Sequence, residues 1–204
     1  YGIPNFKLEK FVVERRTNLL KESGIKFVQN FEAGKDQLLH ELKEKHDAIL
    51  ISTGVYKARE MDIPGHDLKN IFPAMDFLTA SNRKGLGDKV ELFDNGTLNA
   101  LNKDVVVIGG GTGCPAILRG LKGHPVDLTA IVTTMDSGGS SGRLRQEFNV
   151  PALGDIRRAL AALTDDDALG SLSEYRFRGE SSLEGHTLGN LTLLALLLER
   201  GDLE

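Results

Sequence analysis

The run Gly109-Gly110-Gly111-Thr112-Gly113 is the part of this sequence best suited to chemistry. It follows the apolar stretch Asp104 to Ile108 (DVVVI) and precedes a helical stretch from about Pro115 to Leu121. A strand that ends in glycines and opens a helix aims unpaired backbone N–H groups and the positive end of the helix dipole at one point, which suits a phosphate. Glycine is required where the chain turns sharply and where a side chain would hold a phosphate at a distance. The spacing Gly111-x-Gly113-x-x-Ala116 satisfies the relaxed dinucleotide-binding pattern. The plainer alternative is a tight strand-to-helix turn with no ligand.

A second loop follows the next apolar run, Asp127 to Thr134 (DLTAIVTT), so both loops leave the carboxyl edge of a parallel sheet. Asp136 is placed there to meet a ribose hydroxyl or a metal ion on phosphates. Ser137, Gly138, Gly139, Ser140, Ser141 and Gly142 supply N–H and O–H donors, and Arg143 and Arg145 add charge-assisted ones. A flexible Gly/Ser linker is the competing reading. His186 and Asn190, in Gly185-His186-Thr187-Leu188-Gly189-Asn190, lie one helical turn apart. His186 reads equally as a base or ligand contact and as a capping or core histidine. Asp155, Arg157 and Arg158 read equally as a functional group and as a capped, solvated helix start. Cys114 sits at a helix start but has no histidine near it in sequence, so it reads as a small packing residue. His40, His46, His66 and His124 lack metal-ligand spacing, and no zinc-type site is expected.

Stepping outward, residues 8 to 23 place Leu8, Phe11, Val12, Leu19 and Leu20 on one helical stripe, capped by Gly24. Ile25 to Val28 reads as a short strand, Gln37 to Lys45 as a helix, and Asp47 to Ser52 (DAILIS) as a second strand. That β-α-β order favours a parallel sheet. A helix is expected over Ala74 to Asn82, then a loop or hairpin over 83 to 103. After the second loop the pattern is helical: Gly154 to Leu163, a stretch after Asp165, and His186 to Arg200. There is no internal repeat.

The 204 residues carry a net charge of -4 and no long basic stripe, which argues against nucleic acid as the partner. One cysteine excludes an internal disulfide framework and fits a cytoplasmic setting. The longest apolar stretch, Leu191 to Leu198, is too short for a bilayer, so no membrane partner is expected. Homo-oligomerisation stays open. The opening Tyr1-Gly2-Ile3-Pro4 reads as the middle of a longer sequence.

Two resemblances divide the chain. The segments VVVIGGGTG, ILRGLK, VDLTAIVTTMDSGGSSGRLR, GDIRRALAAL, YRF and GHTLGN resemble, in order, the CofD-like family. That family includes the bacterial gluconeogenesis factor and the 2-phospho-L-lactate transferase. The resemblance implies a Rossmann-like core that binds a nucleotide or a nucleotide sugar of UDP-sugar or GDP type, with a divalent metal in the transferase branch, for which magnesium is a candidate. Its nucleotide site would be lined by residues 109 to 113 and 136 to 145, with His186 and Asn190 near it. The segments YGIPNFKLEK, VVERRTNLLKESGIKF, HDAILISTGVYKAR, IPGHDLKNIFPAMDFLTASNRK and KDVVVIGGG are instead similar to the small subunit of glutamate synthase. This second resemblance implies NADPH and flavin chemistry, although the family's flavin-binding glycine motif and iron–sulfur cysteines are not in this sequence.

The sequence therefore reads as a chimera joined within VVVIGGG, whether by recombination, an assembly join or deliberate construction. The expectation is an α/β fold with a Rossmann-like parallel sheet and helices on both faces. Residues 1–103 would form a glutamate-synthase-like segment and 104–204 a CofD-like nucleotide-binding domain. The expected activity is nucleotide or nucleotide-sugar binding. The alternatives are an NADPH-dependent oxidoreductase fragment and a chimera without activity.

Overall fold

A computed structural model describes residues 2–5, 7–54 and 63–201. Nine helices and two strands occur among these residues: α1 (Lys10–Glu22), α2 (Leu39–Lys45), α3 (Ala74–Gly85), α4 (Glu91–Asp94), β1 (Asp104–Gly109), α5 (Gly113–Leu121), β2 (Asp127–Val132), α6 (Gly139–Phe148), α7 (Gly154–Leu163), α8 (Asp167–Glu174) and α9 (Leu188–Arg200).

β1 and β2 pair in parallel, from Asp104 with Asp127 to Gly109 with Val132. Alternation along the strands sends Val105, Val107, Leu128, Ala130 and Val132 to one face. There they meet Cys114, Ile117, Leu118 and Leu121 of α5 and Ala159 and Ala162 of α7. This is the main core, and Leu118 is wholly buried in it. Phe77 and Leu78 of α3 pack against the same cluster, so the first half of the chain contributes to the core of the second. A cavity of about 370 Å³ remains between α3 and α5, lined by Phe77, Leu86, Phe93, Ile117 and Leu121 among others. A second cluster joins Leu144 of α6, Val150, Leu153 and Leu194 of α9.

The α/β class and the parallel pairing are as the sequence suggests. The described helices that contact the strands, α5 and α7, share a core with one face of the pair. On the other face Val106, Ile108 and Ile131 are more than half exposed.

The first half departs further from expectation. Residues 25–28 and 47–52 form no strands, and Val28, Leu50 and Ile51 are exposed. A strand exists through its hydrogen-bonded neighbour, and neither segment has one among the described residues. α1 forms as its periodicity requires and ends in the expected glycine: Gly24 has φ +87°, its N–H bonds the Lys21 carbonyl, and the Ile25 N–H bonds that of Leu20. Its apolar stripe is not buried, however; Phe11, Leu19 and Leu20 all face solvent. The stretch 83–103 contains the short helix α4 rather than a hairpin.

Truncating Leu118 to Ala should lower the unfolding free energy by about 2–5 kcal/mol, because it leaves a cavity in a closed core. Leu160→Ala, at a half-exposed position of α7, should cost under about 1 kcal/mol. Urea unfolding followed by circular dichroism measures both.

Candidate functional site

The turn after β1 and the loop after β2 meet where the sheet ends. The contact is so close that a Cβ on Gly110 would collide with Thr133 Oγ1 and Asp155 Oδ2. Gly111, in the left-handed region at φ +63°, turns its N–H to Asp155 Oδ2 at 2.7 Å. Thr112 caps α5 and Gly113 begins it; Gly111, Thr112 and Gly113 are exposed. Asp155 is the second residue of α7, where the helix dipole favours a carboxylate.

Asp155 Oδ1 accepts from Arg158 one turn along α7 at 2.9 Å. The same guanidinium stands 3.8 Å from Asp136 Oδ2. Asp136 Oδ1 in turn accepts the Gly138 N–H at 3.0 Å, an Asx-type turn that leads into α6. Gly154 lies against both Ser141 Oγ and Asp136 Oδ2, so a side chain there would push α6 and α7 apart. Three helix starts, those of α5, α6 and α7, thus gather around two carboxylates and one arginine.

The expected donor loop, 136–145, becomes helix at Gly139. Ser140, Ser141 and Gly142 are buried rather than free to wrap a ligand. The helix also separates the two arginines. Residues two apart point roughly 200° from each other. Arg143 reaches the Glu184 carbonyl, whereas Arg145 is exposed on another side. Arg143 lines an open cleft of about 650 Å³ with Ser137, Gly139, Gln146, Arg176 and Ser181, at the start of α6. Arg176 lies in the YRF segment of the CofD-like resemblance and was not among the expected site residues. It reaches the Gly185 carbonyl.

His186 and Asn190 converge behind α6. An antiparallel bridge between Arg176 and Thr187, flanked by Phe177 N–H to His186 O and Leu188 N–H to Tyr175 O, fixes the segment. α9 begins at Leu188, two residues later than its pattern suggests, with Thr187 as N-cap. Asn190 Nδ2 donates to Ser140 Oγ at 3.0 Å, and Ser140 Oγ lies 3.0 Å from His186 Nδ1. Asn190 occupies one lone pair of the serine oxygen, and the direction of the Ser140–His186 bond follows the imidazole tautomer. Arg157 Nε donates to Asn190 Oδ1 at 3.0 Å, and its Nη1 pairs with Glu174 at 2.6 Å. Burial, reinforced by the Arg143 charge, holds the His186 pKa below its ordinary 6.5. Cys114 lies in the core, and burial pushes its thiol pKa up.

No group of three His, Cys, Asp or Glu able to hold a metal occurs among the described residues. Asp136 and Asp155 are both engaged by Arg158. No helix among the described residues is long and apolar enough to cross a membrane.

Comparison with known proteins separates the chain at this site. Residues 105–204 match the family model described as 2-phospho-L-lactate transferase CofD. The chain is 57% identical over 101 residues to a putative gluconeogenesis factor of Nostoc sp., covering 49% of this chain and 22% of that protein. It is 54% identical over 99 residues to the gluconeogenesis factor of Bacillus subtilis, covering 48% of this chain and 31% of that protein. Its first 111 residues or so are instead similar to glutamate synthase small chains. The NADPH small chain of Azospirillum brasilense is 58% identical over 111 residues, 54% of this chain and 23% of that protein. The chain thus spans less than a third of the length of each of these relatives. A solved structure from Bacillus halodurans, described as a member of the UPF0052 family, is 46% identical with a TM-score of 0.47, over 50% of this chain and 34% of that one.

Two outcomes check the site's construction. Asp155→Ala should cost about 1.5–3 kcal/mol, since it strands the Gly111 N–H and Arg158, while Asp155→Asn should recover part of that. The depressed His186 pKa means that the unfolded chain takes up its proton first as pH falls. Stability from this group is therefore complete above about 6.5 and lost as pH drops from there toward the folded-state pKa. Melting temperature from pH 8 to 5 should show that loss, and His186→Gln should flatten it.

Proposed function

We propose that this chain, whose residues 105–204 form a CofD-like family domain, binds a nucleotide or nucleotide sugar of UDP-sugar or GDP type where α5, α6 and α7 begin. The observation that carries the reading is the convergence of two parallel-strand loops, one with exposed Gly111, Thr112 and Gly113 and the other leading to the open cleft at α6. Phosphates sit over the start of α5 and reach toward Gly138 and Gly139 at the start of α6. Arg143, on the wall of the cleft, supplies positive charge from a side chain held by the Glu184 carbonyl. Asp136 and Asp155 repel a phosphate placed directly on them. Their role is to hold the loops through Gly138 and Gly111, with Arg158 offsetting their charge. Ser137, next to Asp136, offers the exposed hydroxyl of the loop. Ser140, Ser141, His186 and Asn190 stand behind α6 and fix its start.

A second reading rests on the glutamate-synthase-like segment: the same glycine turn would take the pyrophosphate of NADPH. That reading rests on the turn alone.

A thermal-shift panel with UDP-N-acetylglucosamine, GDP, NADPH and FAD, each with and without magnesium, separates these outcomes. A ligand at about 100 times its Kd adds about 2.7 kcal/mol of stability. The expected result is a shift with the UDP-sugar or GDP, reduced about tenfold in affinity by Arg143→Ala and little changed by Arg145→Ala. A shift with NADPH alone transfers the assignment to the second reading. A cooperative melt with no shift marks a folded chimera without a working site.

A further inference from the structure

The open cleft of about 650 Å³ beside α6 brings two arginines together. One wall is a face of α6 that carries Arg143 and Gln146. The other is the turn before α9, with Arg176, Ser181 and Glu184. That turn is pinned. An antiparallel bridge joins Arg176 to Thr187, the Phe177 N–H bonds the His186 carbonyl, and the Gly185 N–H bonds that of Phe177. Arg143 donates to the Glu184 carbonyl and Arg176 to the Gly185 carbonyl, so successive residues of the turn anchor both guanidiniums. Gly185 has φ +77°, and a Cβ there would stand 2.9 Å from Arg143 Nη2. The turn therefore closes directly onto that guanidinium.

Two like charges anchored by one turn repel unless an anion joins them. Arg83, Arg157 and Arg158 each pair with a carboxylate: Asp88, Glu174 and Asp155. Arg143 and Arg176 form no ion pair among the described residues, although Glu184 lines the cleft and Glu147 lies one turn beyond Arg143. Each spends a single N–H on a neutral carbonyl and keeps its other donors. Ser137 and Ser181 add hydroxyls to the lining, and the positive end of the α6 dipole lies at the same opening. Paired guanidiniums with hydroxyls suit phosphate, which offers more acceptor oxygens and more charge than a carboxylate. The volume falls in the ~300–1,000 Å³ range of small-molecule sites, more than a lone phosphate fills. The glycine turn at 109–113 contributes nothing to its lining.

We propose that this cleft is a second anion subsite, which takes the phosphate group of a small phosphorylated molecule between Arg143 and Arg176. Ser137 and Ser181 donate to the phosphate oxygens, and Gln146 offers its amide to the body of the ligand. The Glu184 carboxylate opposes the anion and moderates its affinity. The subsite goes beyond the nucleotide reading and does not need it, since Arg176 has no part in the nucleotide site.

Inorganic phosphate is the probe, titrated into the full chain at constant ionic strength while NMR follows the arginine side-chain N–H resonances. The expected result is a saturable shift of Arg143 and Arg176 in the millimolar range, with acetate at least about tenfold weaker. Arg176→Ala should weaken phosphate binding about tenfold, Arg176→Lys less, and Glu184→Gln should tighten it a few-fold. Glu184→Gln keeps the backbone carbonyl that anchors Arg143, so lost structure does not produce that gain. His186 gives an independent readout. Burial, then the Arg143 and Arg176 charges, hold its pKa down, against Glu147, which raises it. Saturating sulfate, whose charge is constant with pH, should raise that pKa by neutralising the two cations. Equal shifts with phosphate and chloride, an adventitious ion only, overturn the proposal. Equal binding of acetate overturns the choice of phosphate. Unchanged affinity in both Arg176→Ala and Glu184→Gln overturns the subsite. Phosphate binding in a chain that UDP-N-acetylglucosamine and GDP leave unshifted counts against the nucleotide reading alone, and the reverse result against this subsite alone.

Discussion

One hydrogen bond holds the candidate site together: the Gly111 N–H to the Asp155 carboxylate, across 44 residues of sequence. It joins the turn after β1 to the start of α7. Through Arg158 and Asp136 the same contact extends to the loop after β2 and to α6. The close approach explains the residue types around it. Gly110 and Gly154 leave no room for a Cβ, and each lies where one backbone passes another element's carboxylate or hydroxyl. A carboxylate is the right partner because the turn and the first turn of α7 both present positive backbone dipoles. Glycine supplies the approach and aspartate the charge; neither alone brings the three helix starts together.

Behind that contact runs a buried polar chain, His186–Ser140–Asn190–Arg157–Glu174. The links from His186 to Arg157 Nε are hydrogen bonds, and the last, from Arg157 Nη1 to Glu174, is an ion pair that leaves Nη1 without a hydrogen bond. The polar chain passes from the bridged segment before α9, through α6, back to α9, into α7 and out to α8. Its one ionic end, Glu174, is partly solvated, so Arg157 is not left as an isolated charge in the interior. The consequence for the site is rigidity: the start of α6 is braced from behind while its front edge borders the cleft.

Legibility in the sequence followed the range of the interactions. β1, its glycine turn, α5 and β2 were readable because alternation, glycine and an early proline act over a few residues. α6 was not, since Gly139, Ser140, Ser141 and Gly142 are poor helix formers. They are helical because tertiary contacts bury them, Ser140 lying against His186 and Asn190 and Ser141 against Asn190. The segments 25–28 and 47–52 have strand composition without strand partners, and composition does not supply a neighbour. The weight of Asp155 over Asp136 as organiser was likewise invisible, because it arises from a contact between distant elements. Arg143 and Arg145 looked like a pair in sequence and are divided by helical geometry.

The β1–α5–β2 crossover has a kinetic meaning. Its paired residues are separated by only 23 positions, from Asp104 to Asp127. Closing so short a loop costs little chain entropy, and a helix that forms within it shortens the span further. The parallel pair can therefore assemble from local sequence before α3 docks or α9 arrives. α3 then adds Phe77 and Leu78 to the core that the crossover has begun.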